Sequence, residues 1–140
     1  MSSAFRIWSS LLSLAIIVQV GLAAYGAFHA VDESDDKGVI GKNAVSDGFN
    51  AHSALGYLIL IAALVLVVLA FPARGEGPWR LKWAWLVFGL IVVQILFAYL
   101  GGGVAWLGVL HGMNALAVAG FAGSLAGREW AAHRASPSTA

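Results

Sequence analysis

Cysteine is absent from the sequence. That excludes disulfides, thiolate metal sites and covalent attachment of a c-type haem. Charge is scarce as well: 11% of the 140 residues are Asp, Glu, Lys or Arg, against 60% hydrophobic. A water-soluble domain of this length needs more polar surface, so the expected solvent for most of the chain is lipid. The scarcity is concentrated. Four blocks, Ile7–Phe28, His52–Phe71, Trp83–Leu100 and Val104–Leu125, hold no charged residue at all. Each is near the ~20 residues a helix needs to cross the hydrocarbon core. With no charge inside a span and no span visibly broken, a transporter's substrate path is missing. No nucleic-acid partner is expected either.

What is present predicts an all-α protein, an integral membrane four-helix bundle. It forms a single domain over residues 1–134, followed by a disordered tail at 135–140. The first block resembles a signal peptide, with Arg6, an apolar run and small residues at Ala24–Ala27. Its apolar part is longer than a usual signal core, so it is read as a helix. Arg6, Arg74, Arg80, Lys82, Arg128 and Arg134 fall in the N-terminal tail, the middle loop and the C-terminal tail. Lys37 and Lys42 lie opposite, in a loop of about Ala30 to Phe49 that also carries Asp32, Glu33, Asp35, Asp36 and Asp47. By the positive-inside rule both termini are cytoplasmic. All six tryptophans sit near predicted helix ends, where indoles anchor at the interface. The inner loop reads Pro72 to Lys82, and Gly101–Gly103 makes the turn between helices 3 and 4.

Polar residues inside the spans repeat. Helix 1 reads Ile16-Ile-Val-Gln-Val-Gly-Leu-Ala-Ala-Tyr-Gly26, and helix 3 reads Ile91-Val-Val-Gln-Ile-Leu-Phe-Ala-Tyr-Leu-Gly101. Gln19 matches Gln94, Ala23 matches Ala98 and Gly26 matches Gly101. Helix 2 opens on His52 and helix 4 carries His111. Each half is thus a helix with a central Gln, an outer loop and a helix with a His towards its outer end. Both halves start inside, so they are parallel helix-pair repeats about an axis along the membrane normal.

His52 and His111 are the residues expected to carry chemistry. Two neutral imidazoles facing each other across a bundle suit bis-histidine ligation of haem iron. Gly56 and Ala115 each follow a histidine by four residues, on the same helix face, and Gly108 precedes His111 by three. Small side chains there leave room for a flat macrocycle. The alternative for the histidines is interhelical hydrogen bonding. Zinc is disfavoured, because two histidines without Cys or a nearby carboxylate underfill a tetrahedral site. Gln19 and Gln94 are read first as helix–helix hydrogen-bonding residues and second as contacts to a haem edge or quinone head group. Tyr25, Tyr57, Tyr99 and Asn114 are packing residues or supporting donors, and His133 is solvated. Gly108-x-x-x-Gly112 and Gly123-x-x-x-Gly127 are spacings for close helix packing.

The segments His52-Ser-Ala-Leu-Gly-Tyr and Leu110-His-Gly-Met-Asn-Ala-Leu116 resemble a bacterial family of small four-helix membrane proteins of unassigned function. The same plan is similar to one half of haem A synthase. That resemblance implies that His52 and His111 match the axial pair of a b-type haem. It departs at the catalytic half, which uses a glutamate near a histidine. Here the nearest carboxylate before His52 is Asp47.

The leading expectation is therefore a b-type cytochrome with one haem b (iron) in the extracytoplasmic half of the bundle, for electron transfer or haem handling. Quinone or a membrane redox protein is the expected partner within the bilayer. A cofactor-free accessory or assembly subunit of a larger complex is the alternative. Enzyme action requires Asp47, His29 or a partner chain, such as a second copy in a homodimer, to complete a site.

Overall fold

A computed structural model describes residues 2–34 and 38–135. Four α-helices run in chain order: α1 (Ser2–Asp32), α2 (Lys42–Ala73), α3 (Trp79–Gly101) and α4 (Ala105–Ala135), with a 3-10 turn at Arg74–Glu76 between α2 and α3. All four are long and apolar enough to cross a membrane. The helices pack in a ring, α1 on α2, α2 on α3, α3 on α4 and α4 back on α1.

Their packing faces follow from residue spacing. Ile59, Ala63, Leu66, Val67 and Ala70 of α2 are buried, as are Leu12 and Ile16 of α1, Ala84, Val87 and Ile91 of α3, and Val118, Ala122 and Leu125 of α4. Steps of three and four keep each set on one stripe. Between those stripes the helices stay apolar, with Leu58, Ile61, Leu64 and Val68 exposed on α2 alone. A helix hydrophobic all round suits a membrane span better than a surface helix.

All four helices exceed their predicted spans, three of them by nine residues or more. At 31 to 32 residues, α1, α2 and α4 reach about 46–48 Å, well beyond a ~30 Å hydrocarbon core. The loop expected over Ala30–Phe49 is correspondingly shorter, because α1 continues to Asp32 and α2 begins at Lys42. His52 therefore lies well inside α2 instead of near its start. The inner loop shrinks too: Pro72 sits in the last turn of α2, and Arg80 belongs to the first turn of α3. Apolar content marks where a helix crosses lipid; the hydrogen-bonded helix continues past that limit. Ala135 still belongs to α4, and the rest of the expected tail, 136–140, lies outside the described residues.

The α1–α2 contact is closest where two glycines cross. A Cβ on Gly48 would lie 2.7 Å from the Gly26 carbonyl oxygen, and one on Gly26 would lie 2.9 Å from the Gly48 oxygen. Gly48→Ala is expected to force the helices apart and cost about 1–3 kcal/mol, the range for overpacking. Gly21→Ala and Gly89→Ala, at positions opening on free space, should not. Thermal unfolding of the three variants in one detergent would separate them.

Candidate cofactor site

The four helices enclose a cavity of about 380 Å³, and His52 and His111 both line it. Its walls are otherwise mostly aliphatic, including Ile16, Ile59, Ile91, Ile95 and Val118. Among the described residues no Asp, Glu, Lys or Arg lines it. Gln19, Gln94, Gly56 and Ala115, the other residues expected from the sequence, are on its wall as well. One flank is open: Tyr57, Tyr99 and Leu116 line the cavity and are 49%, 69% and 75% exposed.

Each histidine is held in the same way. His52 Nδ1 lies 3.1 Å from the main-chain oxygen of Gln19, and His111 Nδ1 lies 3.0 Å from the main-chain oxygen of Gln94. A carbonyl oxygen only accepts, so each Nδ1 carries the proton and donates it. In the neutral ring Nε2 is then the nitrogen with the lone pair. This is the tautomer a histidine adopts when Nε2 is a metal ligand, with the Nδ1–H bond orienting the ring. The positions of the two glutamines were legible in the sequence, but the group that holds each imidazole is the glutamine's backbone oxygen.

The glutamine side chains do different work. Gln19 Nε2 donates to the His52 carbonyl oxygen at 2.8 Å. A Cβ on residue 56 would lie 3.2 Å from that same nitrogen, so Gly56 makes room for the amide as well as bordering the cavity. Gln94 turns instead to Asn114, whose Nδ2 donates to Gln94 Oε1 at 2.7 Å and to the Leu90 carbonyl at 2.9 Å. Here the residue four beyond the histidine is alanine, Ala115. Leu55 stands three residues after His52, where Asn114 stands after His111, and Gln19 Oε1 is buried with no hydrogen-bond partner among the described residues. Asn114→Leu should leave Gln94 Oε1 in the same condition. The expected cost is about 1–3 kcal/mol, read as a lower unfolding midpoint.

Tyr57 and Tyr99, expected as packing residues or supporting donors, share a hydrogen bond of 2.6 Å between their hydroxyls at the cavity's open flank. His29 is apart from the cavity, stacked on Tyr25 beside Asp32 at the end of α1. Among the described residues no three His, Asp or Glu side chains converge as a metal cluster. Axial ligation of a haem asks for two.

A second buried polar feature was not legible. Arg80 and Glu129 are 5% and 2% exposed, and they pair through two bonds: Arg80 Nε to Glu129 Oε1 at 2.6 Å, and Nη2 to Oε2 at 3.0 Å. Arg80 Nη1 also donates to the Ala73 carbonyl and to Glu76. In sequence Arg80 looks like a loop cation. The available signal was Glu129, a lone carboxylate between Arg128 and Trp130 at the end of an apolar helix. About 27 Å of helix separates it from His111, so it stands at the far end of the bundle.

Fold and site together define a four-helix bundle with a paired-histidine cavity. The chain matches no family model, no curated protein and no solved structure.

Proposed function

We propose that this chain is a multi-pass protein of a bacterial inner membrane with both termini cytoplasmic, and that it is a b-type cytochrome binding one haem between His52 and His111. The observation that carries this reading is the repeated Nδ1–H bond to a main-chain carbonyl. It gives two ring-oriented imidazoles with free Nε2 lone pairs on one uncharged cavity. The residues fit the group: two nitrogen donors, aliphatic walls for a macrocycle, and small residues at Gly56, Gly112 and Ala115 where a larger side chain would occupy the space. The same bond in both helix pairs supports the parallel repeat, and the resemblance to one half of haem A synthase supports the same ligand pair.

Haem bound here supplies a one-electron Fe(II)/Fe(III) couple. The chain's own part is to orient both imidazoles, hold their tautomer and keep charge away from the site. A haem near one face cannot carry an electron across the whole membrane. Its redox partner is then quinol in the bilayer or a protein on the outer side, unless the role is haem handling. Protein purified after haem-replete expression should contain one haem and one iron per chain. Purified protein free of both would remove the proposal.

The accessory-subunit reading has one observation in its favour. A Cβ on Gly108, Gly120 or Gly127 of α4 would meet nothing within 4 Å, so these glycines leave room for a neighbouring helix. That reading requires co-purification with a partner at fixed ratio, and both histidine-to-alanine variants should still assemble.

A further inference from the structure

Arginines and tryptophans gather at the end of the bundle opposite the histidines. Arg6 of α1 lies 4.9 Å over the Trp130 ring of α4, and Trp130 Nε1 donates to Ser10 Oγ at 2.9 Å. On the other flank of α4, Arg128 lies 4.5 Å over the Trp83 ring and 6.0 Å over that of Trp79. A guanidinium on an indole is held in place by its flat face while its N–H edge remains able to bond an anion.

Among the described residues these arginines have no anionic partner. Of seven acidic residues, Asp32, Glu33, Asp35, Asp36 and Asp47 belong to the loop side, leaving Glu76 and Glu129 at this end. Both bond Arg80. Arg6 and Arg128 make no ion pair among the described residues, and Arg6 Nε is buried without an acceptor. Arg134 follows Trp130 by one helical turn, placing a second cation on the same stretch of α4.

We propose that Arg6, Trp130 and Arg134 form a binding site for the phosphate headgroup of an anionic phospholipid, in the groove between α1 and α4. Three features select lipid over free phosphate. The arginines stand on indoles, the groove is flanked by exposed apolar side chains such as Ile7 and Leu11, and the proposed membrane placement puts the site at the level of the headgroups. Arg128 with Trp79 and Trp83 repeats the chemistry in the α3–α4 groove.

The inference rests on the membrane placement, but is independent of the haem. Its test is native mass spectrometry of protein released from nanodiscs containing equal phosphatidylglycerol and phosphatidylcholine. The expected result is retained phosphatidylglycerol on the native chain, falling about fivefold in Arg6→Gln and again in Arg6→Gln/Arg134→Gln, as expected for each arginine near an anionic surface. Lys42→Gln, at the opposite end, should retain lipid like the native chain, and excess inorganic phosphate should not displace it. Equal retention of the two lipids, or undiminished retention in the double variant, would overturn the site. Displacement by inorganic phosphate would overturn its assignment to lipid. Failure of the native chain to enter nanodiscs would remove the membrane placement and the lipid site with it, whereas absence of haem would leave both standing.

Discussion

Replacing either His52 or His111 with alanine is expected to abolish the low-spin haem spectrum of the purified protein. Each variant removes one of the two nitrogens proposed to hold the iron, and among the described residues no other His, Asp or Glu lines the cavity to take its place. One remaining ligand would leave the iron high-spin, or let the haem go altogether. The contrast lies in the glutamines. Because each Nδ1–H bond ends on a main-chain oxygen, Gln19→Leu and Gln94→Leu leave it intact. The Gln19 variant loses only the bond from Nε2 to the His52 carbonyl, worth about 1 kcal/mol. Both glutamine variants should keep a low-spin spectrum close to the native one. If the glutamine variants lost haem as completely as the histidine variants, orientation through the backbone would be the wrong explanation.

The second large effect is expected at the other end of the bundle. Glu129→Ala takes from the Arg80 guanidinium, which is 5% exposed, both its bonds to Glu129 and leaves only the one to Glu76. Breaking a buried ion pair from one side costs about 3–5 kcal/mol, because an uncompensated charge remains. Glu76 gives little relief, since its bond to Arg80 is longer, at 3.3 Å, and its side chain is 56% exposed. The double variant Arg80→Met/Glu129→Leu removes both charges and fills the space, and should recover most of that loss. Reversible unfolding of the three proteins in one detergent measures the difference. A double variant no more stable than Glu129→Ala would mean that the ion pair holds α3 to α4 by more than mutual neutralisation. Neither change should alter the haem spectrum, since the pair lies about 27 Å along α4 from His111.

Number, order and apolar character of the helices were legible because a residue's preference for lipid is local and additive along a span. Helix ends were not. Lys42–Asn50 and Arg128–Ala135 are too polar to read as span, yet they continue α2 and α4. At the site, the scarcity of polar residues in the spans singled out Gln19, Gln94, His52 and His111, and all four meet at one cavity. Which atoms touch was beyond the sequence, because a main-chain acceptor leaves no residue-type signature. The Arg80–Glu129 pair was hidden for a related reason. Both residues flank the apolar blocks, where charge normally meets water, and only the packing of α3 on α4 reveals their burial. Gly56 was noticed as a small residue near a histidine, while its contact with the Gln19 amide depends on how α1 lies against α2.

The most direct test of the paired-histidine haem is a reduced-minus-oxidised visible spectrum of the detergent-purified protein, expressed with ample haem. Sharp α and Soret bands of a low-spin b-type haem, at one haem per chain, are expected. A featureless spectrum from well-folded, haem-replete protein would contradict the proposal and leave His52 and His111 as residues that tie α1 to α2 and α3 to α4.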